Sequence, residues 1–194
     1  MARDLTTRRA IVTGASGGIG RAVAVELANA GVRVAVAARS ADKLDALVAE
    51  LKAAGRTALA VPCDVTVPAD RERLVRTVVE AWGGLDLLVN NAGVASWGHF
   101  ATSTEEINRR ILEVNFFAPV ELTRVAMPHL TDGVAPAVVN VTSMCGRRGM
   151  PAWPEYSASK AALVGMSEAW RGEFVRFGVD VITVVPGLTK TGLN

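Results

Sequence analysis

Tyr156 and Lys160 are the two residues of this sequence best suited to acid–base chemistry. Tyr156 is the only tyrosine among 194 residues, and Lys160 follows it four positions later. Residues i and i+4 of an α-helix lie on one face, so the spacing predicts that a phenol and an ammonium share a site. A free phenol has a pKa of about 10, and a neighbouring cation lowers it. The pair therefore predicts an enzyme that uses a tyrosine as general acid and base.

Length and composition narrow the class of protein. With 194 residues, 50% of them hydrophobic, and a net charge of +2, the chain is typical of a single globular α/β domain over residues 1–194. Arg71, Arg73 and Arg76 are interpreted as a solvated helix face rather than a nucleic-acid patch. The two cysteines form neither a disulfide framework nor a metal-ligand cluster, so we expect no metal.

The sequence shows no targeting or membrane signal. The basic start, residues 1–9, lacks the apolar stretch of a signal peptide. No uncharged apolar run approaches the ~18 residues that a membrane helix needs. We therefore expect a cytoplasmic protein that acts on a small molecule, with no nucleic-acid or membrane partner.

Short apolar runs alternate with helical segments along the chain, which predicts a doubly wound parallel sheet of the Rossmann type. We expect the strand order 3-2-1-4-5-6. The predicted strands are Ala10–Thr13, Arg33–Ala37, Thr57–Pro62, Leu85–Asn90, Ala137–Thr142 and Asp180–Val185. The predicted helices are Gly18–Ala30, Ala41–Ala54, Pro68–Trp82, Thr104–Leu130 and Pro154–Phe177.

A glycine-rich loop joins the first strand to the first helix. Gly14, Gly18 and Gly20 allow a tight turn and a close approach of the backbone to a pyrophosphate, with Ser16 and Ile19 in the same turn. The N-terminus of the helix then offers free N–H groups to the phosphates. The alternative is a glycine-rich turn that binds no ligand. The position between a strand and a helix favours a dinucleotide.

The end of the second strand predicts which dinucleotide binds. Arg39 lies there, and no carboxylate is present to bind an adenosine 2′-hydroxyl. An arginine suits a 2′-phosphate, so the sequence favours NADP(H) over NAD(H). The alternative is that Arg39 is a surface residue and that Ser40 caps the second helix.

Together these features resemble the short-chain dehydrogenase/reductase family from Thr13 to Thr191. The glycine loop is similar to the family's phosphate-binding turn. Residues 90–93 match its NNAG motif, in which Asn91, Ala92 and Gly93 face the cofactor. The other positions that match cofactor-binding or catalytic residues of the family are Asp64, Val65, Asn115, Ser143, Pro186, Gly187, Thr189 and Thr191.

The resemblance implies the chemistry. A hydride passes between the nicotinamide and a carbonyl carbon, Tyr156 supplies the proton, and Ser143 donates a hydrogen bond to the carbonyl oxygen. The resemblance also implies that Lys160 lowers the pKa of Tyr156 and binds the nicotinamide ribose, and that Asn115 holds a water of a proton relay. Each residue has a plainer interpretation: a strand-end hydroxyl for Ser143, a buried amide for Asn115, surface charge for Lys160.

Other residues near these motifs have open roles. His99 follows the NNAG motif and is more often structural than catalytic in such a place. Met144, Cys145 and Trp153 flank the catalytic serine and tyrosine, where an apolar substrate pocket and ordinary packing are equally good interpretations. Arg147 and Arg148 are interpreted as solvated charge.

The resemblance also sets an expectation beyond the Pro186–Gly187 segment. The family continues there with a helical substrate lid and a final strand, which we expect to be absent from these 194 residues. A lid left out of the sequence, a truncated chain and a natural short form all stay open as explanations. The family further implies a homodimer or homotetramer through the helices at 104–130 and 154–177.

Two functions remain at this stage. The first is an NADP(H)-dependent reductase of carbonyls or dehydrogenase of secondary alcohols, including reductases of 3-oxoacyl thioesters and other ketones. The alternative is a non-catalytic dinucleotide-binding sensor or assembly subunit with the same fold.

Overall fold

The computed structural model describes residues 4–189 and contains one parallel sheet of six strands. The strand order is β3-β2-β1-β4-β5-β6, as predicted. All five pairings between neighbouring strands are parallel, and Ile11 in the centre of β1 lies between Ala35 of β2 and Leu88 of β4. The strands are β1 Arg9–Thr13, β2 Arg33–Ala38, β3 Ala58–Pro62, β4 Leu87–Asn90, β5 Ala137–Val141 and β6 Asp180–Val184.

Helices cover both faces of the sheet. They are α1 Gly18–Asn29, α2 Ala41–Ala53, α3 Pro68–Trp82, α4 Glu105–Leu112, α5 Ala118–Thr131, α6 Met144–Arg147 and α7 Pro154–Phe174. Helices α1 and α2 pack on the face that contains Val12, whereas α3, α5 and α7 pack on the face that contains Ile11. Neighbouring residues of a strand point to opposite faces, so the continuous apolar runs fill both cores. Within residues 4–189, no helix has the length and apolar character needed to cross a membrane.

The prediction of one continuous helix over Thr104–Leu130 is wrong. A π-helical turn, Glu113–Phe117, separates α4 from α5. Pro119 has no N–H to donate to the carbonyl oxygen of Asn115, so a regular α-helical hydrogen bond cannot form there. The sequence contained this signal, a proline four residues after the candidate asparagine.

Several other boundaries differ from the prediction. The short helix α6 was not expected, and the last predicted helix ends at Phe174, followed by a 3-10 turn, Val175–Phe177, and Gly178 in the left-handed conformation. Strand β4 begins at Leu87 rather than at Leu85. The remaining strand and helix ends agree with the prediction to within one residue.

An ion pair joins the starts of β1 and β4. Asp86 accepts hydrogen bonds from Nε and Nη2 of Arg9 at 2.9 and 2.8 Å and from the backbone N–H groups of Arg9 and Val134. Burial raises the pKa of Asp86, but these hydrogen bonds outweigh burial and hold the pKa below its ordinary value. The carboxylate thus stays ionised and ties the two central strands together at their amino ends.

Close packing at Gly20 joins the glycine loop to the loop after β4. A Cβ atom at Gly20 would lie 2.4 Å from both Nδ2 of Asn91 and the carbonyl oxygen of Gly14. These distances are far below van der Waals contact, and both neighbours are held by the sheet ends. Only glycine fits this position in α1.

We predict that Gly20→Ala destabilises the fold by about 1–3 kcal/mol, because the added methyl overpacks this junction. Gly172→Ala in α7 is the control, since a Cβ there meets no atom within 4 Å. Alanine in an open helical position should stabilise by about 0.5–1 kcal/mol. Urea unfolding measures both changes, and equal stability of the two variants would contradict this account of Gly20.

Candidate active site

The start of α1 lies at the carboxyl edge of the sheet and suits an anionic group. Gly17, at the N-cap, has no side chain to occupy the N–H groups of the first helical turn, Gly18 to Gly20. A Cβ atom at Gly17 would have nothing within 4 Å, so the surface above the turn is open. Free N–H groups and the helix dipole favour a phosphate at this point. Ser16 lies in the same turn and is half-buried.

The loop after β4 is bound to the end of β1. Nδ2 of Asn91 donates to the carbonyl oxygen of Thr13 at 2.9 Å, and Oγ1 of Thr13 accepts from the N–H groups of Asn91 and Ala92. These bonds fix the glycine loop against the NNAG motif. The sequence predicted the motif but not its partner, Thr13.

The adenosine end of the candidate site contains Arg39 and Asp64. Arg39 and Ser40 are exposed at the end of β2. Hydrogen bonds from the hydroxyl and backbone of Thr66 lower the pKa of Asp64, and the charge of Arg39 lowers it further. Ser40 occupies the N-cap position of α2, as the alternative interpretation expected, but its side chain accepts no hydrogen bond from the first turn of that helix.

Helix α3 holds the loop that contains Asp64 and Val65. Asp70 accepts from the backbone N–H of Asp64 at 2.8 Å, and Nη1 of Arg71 donates to the carbonyl oxygen of Val65 at 2.7 Å. Arg71 is buried, which corrects its interpretation as part of a solvated helix face. Its position next to the apolar face of α3 was the available signal.

Asn115 is completely buried in the π-helical turn, and its side chain is fully used by protein groups. It accepts from the N–H of Val94 at 2.9 Å and donates to the carbonyl oxygen of Val94 at 2.8 Å and to Oγ of Ser159 at 3.0 Å. The buried-amide interpretation therefore describes the side chain. The main-chain carbonyl oxygen of Asn115 receives no α-helical hydrogen bond, because the residue that would donate it, Pro119, has no N–H.

Lys160 is buried, with 4% of its surface exposed, so the surface-charge interpretation is wrong. Nζ donates to the carbonyl oxygen of Val141 at 3.0 Å and lies 5.8 Å from the centre of the Tyr156 ring. A Cβ atom at Gly93 would lie 3.5 Å from Nζ and 3.2 Å from Oδ1 of Asn115, so Gly93 lies directly beside the ammonium. Burial lowers the pKa of Lys160 from 10.5 to about 8.

The pKa of Tyr156 does not follow the simple expectation. Burial raises it above its ordinary value of 10.0, the hydrogen bond with Ser143 lowers it in part, and Cys145 raises it. Lys160 is not among the causes that act on this pKa, so the expected lowering of the Tyr156 pKa by Lys160 is wrong for the protein without cofactor. Oγ of Ser143 also accepts from the N–H of Cys145 at 3.2 Å, which places the serine at the start of α6.

The segment after β6 packs beside α6. The carbonyl oxygen of Pro186 accepts from the N–H of Met144 at 3.1 Å, and a Cβ atom at Gly187 would lie 3.5 Å from the Met144 sulfur. The hydroxyl of Thr189 donates to the carbonyl oxygen of Gly187. This segment therefore reaches the neighbourhood of Ser143, as its predicted role requires. Thr191 lies outside the described residues.

The residues that flank the candidate active site are either exposed at the surface or line a neighbouring cavity. His99 is exposed, and Arg147 forms an exposed ion pair with Glu168. A cavity of about 530 Å³ lies between α6 and the outer face of α7, and both Cys145 and Arg148 line it. Ser143 and Tyr156 do not line this cavity, so it lies beside the candidate active site.

A buried polar network below the site was not predicted. Asn90 and Asn140 are paired in the register of β4 and β5, and Nδ2 of Asn90 donates to Oδ1 of Asn140 at 2.9 Å and to Thr123 of α5 at 3.0 Å. Asn140 in turn donates to Ser167 of α7 at 2.8 Å. The network fixes α5 and α7, the helix that carries Tyr156 and Lys160, to the sheet.

Comparison with known proteins identifies the class that this fold and site define. The family model described as short chain dehydrogenase matches residues 8–194, and the chain belongs to that family of oxidoreductases. The short-chain dehydrogenase/reductase FrzI of Cladobotryum sp is 40% identical over 192 residues, which cover 98% of this chain and 74% of that protein. The ketoacyl reductase HetN of Nostoc sp. is 35% identical, with 98% and 67% covered.

Solved structures agree in fold over nearly the whole chain. A short-chain dehydrogenase/reductase from Burkholderia phymatum, crystallised in complex with NAD, superposes with a TM-score of 0.95 at 29% identity, covering 99% of this chain and 69% of that one. A dehydrogenase/reductase from Sinorhizobium meliloti superposes with a TM-score of 0.93 at 35% identity, covering 98% and 77%.

Proposed function

We propose that this protein transfers a hydride between NADP(H) and a carbonyl or secondary alcohol, with Tyr156 as the general acid and base. One observation carries the proposal. The only phenol of the chain is buried, its pKa is influenced by Ser143, and it lies beside a buried ammonium at the carboxyl edge of the sheet, where α1 also begins. A proton donor, a second hydrogen-bond donor and a phosphate-binding helix start are the parts that carbonyl reduction needs.

The residues at the carboxyl edge fit a dinucleotide. The first turn of α1, from Gly18 to Gly20, would bind the pyrophosphate, and its N-cap glycine leaves those N–H groups accessible. The adenosine would lie between Arg39 and the loop at Asp64 and Val65, and the nicotinamide end would lie near Gly93 and the Pro186–Gly187 segment. When bound, the nicotinamide supplies or accepts the hydride.

Arg39 and Ser40 support NADP(H) as the preferred cofactor. Both side chains are exposed at the end of β2, where they would meet the 2′ position of the adenosine ribose. Asp64, whose pKa the charge of Arg39 lowers, is already bound through Oδ1 by Thr66. A guanidinium and a hydroxyl at this position suit a phosphate better than a ribose hydroxyl.

The protein residues divide the proton chemistry among them. In reduction, the phenol of Tyr156 gives its proton to the carbonyl oxygen, and Ser143 stabilises the charge that develops there. The phenol is protonated at neutral pH, and burial raises its pKa further, while Lys160, with a pKa of about 8, is mostly charged at pH 7. We assign the main-chain carbonyl of Asn115, rather than its side chain, to the proton relay. Oxidation of an alcohol runs these steps in reverse.

A similar protein and an exposed apolar side chain support a substrate class and an assembly. The name of HetN, a ketoacyl reductase, supports a ketone, including a 3-oxoacyl thioester, as the substrate. We also propose a homodimer or homotetramer through the helices at 105–131 and 154–174. The half-exposed Phe117 in the first of these segments provides apolar surface for such a contact.

We expect Tyr156→Phe to reduce turnover of ketones by roughly 100- to 10,000-fold, because the ring remains but the proton donor is lost. The measurement follows NADPH oxidation with a panel of ketones and 3-oxoacyl thioesters. Fluorescence titration with NADPH is the control and should give the wild-type affinity. Undiminished turnover of the variant would rule out this mechanism. Tight NADPH binding by the wild type with no turnover of any carbonyl would instead favour the non-catalytic alternative.

Arg39→Ala tests the cofactor preference. Loss of a charge-assisted bond worth about 1.5–3 kcal/mol should lower the ratio of kcat/KM for NADPH over NADH by about 10- to 100-fold. Arg56 is an exposed arginine just before β3, near the amino ends of the strands, whereas Arg39 follows the carboxyl end of β2. Arg56→Ala should therefore leave the ratio unchanged. A wild-type ratio in Arg39→Ala would contradict the assignment of Arg39 to the 2′-phosphate.

A further inference from the structure

Trp153 contacts the ring of Tyr156 from the N-cap position of α7. The two ring centres are 5.7 Å apart, and the planes cross at 62°, which is the T-shaped geometry that aromatic pairs favour. Tyr156 is thus flanked by an indole on one side and by the ammonium of Lys160 at 5.8 Å from its ring centre. Two contacts of this kind leave the phenol little freedom to rotate.

The backbone before Trp153 is held in a conformation that is unusual for its residue type. Ala152 has φ of +65°, in the left-handed region that disfavours a residue with a Cβ atom. Its carbonyl oxygen accepts from the N–H of Gly98 at 2.9 Å. The backbone of Trp153 is held by two further hydrogen bonds. Its N–H donates to the carbonyl oxygen of Met150, and its carbonyl oxygen accepts from the N–H of Ser157. Strained residues persist where surrounding contacts over-determine them, and such residues cluster at functional sites.

The hydrogen bond to Ala152 also links Trp153 to the catalytic asparagine. Val94, four residues before Gly98, is bound through both its N–H and its carbonyl by the side chain of Asn115. The loop from Val94 to Gly98 is therefore braced between Asn115 at one end and Ala152 at the other. The position of the indole depends on the same loop that Asn115 fixes.

We propose that Trp153 is a positioning residue, which holds the Tyr156 phenol toward Ser143 and shields it from water, with the Ala152 turn and its bond to Gly98 holding the indole in place. This inference rests on the proposed function of Tyr156. Trp153 would influence the acid–base chemistry only through the position of Tyr156, without touching the reacting atoms.

The charged and titratable groups around the phenol allow a specific test. Ser143 and Cys145, at the start of α6, act on the pKa of Tyr156, and the ammonium of Lys160 lies 5.8 Å from the centre of its ring. Arg147 of α6 is paired with Glu168, and Glu155 is buried on α7. Trp153 carries no charge, so its removal changes mainly the exposure of the phenol to water. Burial is the largest cause that raises the pKa of Tyr156, and added water should therefore lower it.

The experiment titrates Tyr156 by the ultraviolet absorbance of tyrosinate in the cofactor-free protein. Because the chain has a single tyrosine, the signal reports this residue alone. Wild type is compared with Trp153→Ala, Trp153→Phe and Trp97→Ala, and kcat for ketone reduction with NADPH is measured on the same samples. Trp97 belongs to the Val94–Gly98 loop but is 75% exposed, and the bonds that brace this loop use the backbone of Val94 and Gly98, so Trp97→Ala is the matched control for loss of an indole. Circular dichroism establishes that each variant is folded.

We expect Trp153→Ala to lower the apparent pKa of Tyr156 by about 1 pH unit and kcat by roughly 10- to 100-fold. Trp153→Phe should restore most of both values, and Trp97→Ala should match wild type. If Trp153→Ala is unfolded, Trp153→Leu replaces it, because leucine fills volume without providing a ring, and the same changes are expected.

A folded Trp153→Ala or Trp153→Leu protein with wild-type pKa or wild-type kcat would overturn the proposal, as would equal losses in Trp97→Ala. Failure of the wild type to turn over any carbonyl would count against the proposed function instead. The titration would still test the positioning of Tyr156, since it needs neither cofactor nor substrate.

Discussion

The ammonium group of Lys160 is buried at the carboxyl edge of the sheet, and the architecture of the site depends on keeping it there. A buried charge is costly unless polar groups replace its water, and here the carbonyl oxygen of Val141 and the ring of Tyr156 take part of that role. Gly93 lies beside the ammonium, and a Cβ atom there would crowd Oδ1 of Asn115 at 3.2 Å before it crowded Nζ of Lys160 at 3.5 Å. A Cβ atom at Gly146 would lie 2.8 Å from the backbone of Lys160, so substitution of Gly146 would disturb the lysine directly.

The same constraint joins the dinucleotide-binding half of the fold to the catalytic half. Asn115 forms the wall beside the ammonium, and its side chain is committed to the loop at Val94 and to Ser159. That loop continues from the NNAG motif, which Thr13 binds to the end of β1. Hydrogen bonds therefore connect the end of β1 to the loop after β4 and connect Val94 of that loop to Asn115. Ser159, the other partner of Asn115, directly precedes Lys160 in α7.

The fold and its strand order were predictable from the sequence, whereas the roles of the candidate residues stay predictions and their electrostatics were not predicted. Strand order followed from alternating apolar runs, and the spacing of Tyr156 and Lys160 brought them to one site. The π-helical turn was missed because helical periodicity continues through it, although Pro119 carried the signal. The raised pKa of Tyr156 was missed because burial depends on how the whole fold packs, and because Ser143 and Cys145, which also act on this pKa, come from a different element. Such long-range contacts leave no local pattern in a sequence.

The most direct test of this account is the pKa of Lys160 itself. The chain has four lysines, and side-chain NMR can follow each of them with pH in the cofactor-free protein. The signal that disappears in Lys160→Met identifies the residue. We predict that it titrates near pH 8, because burial lowers its pKa from 10.5 to about 8. Titration of Lys160 at its ordinary value, together with the other lysines, would show that the ammonium is exposed to water and would contradict the account.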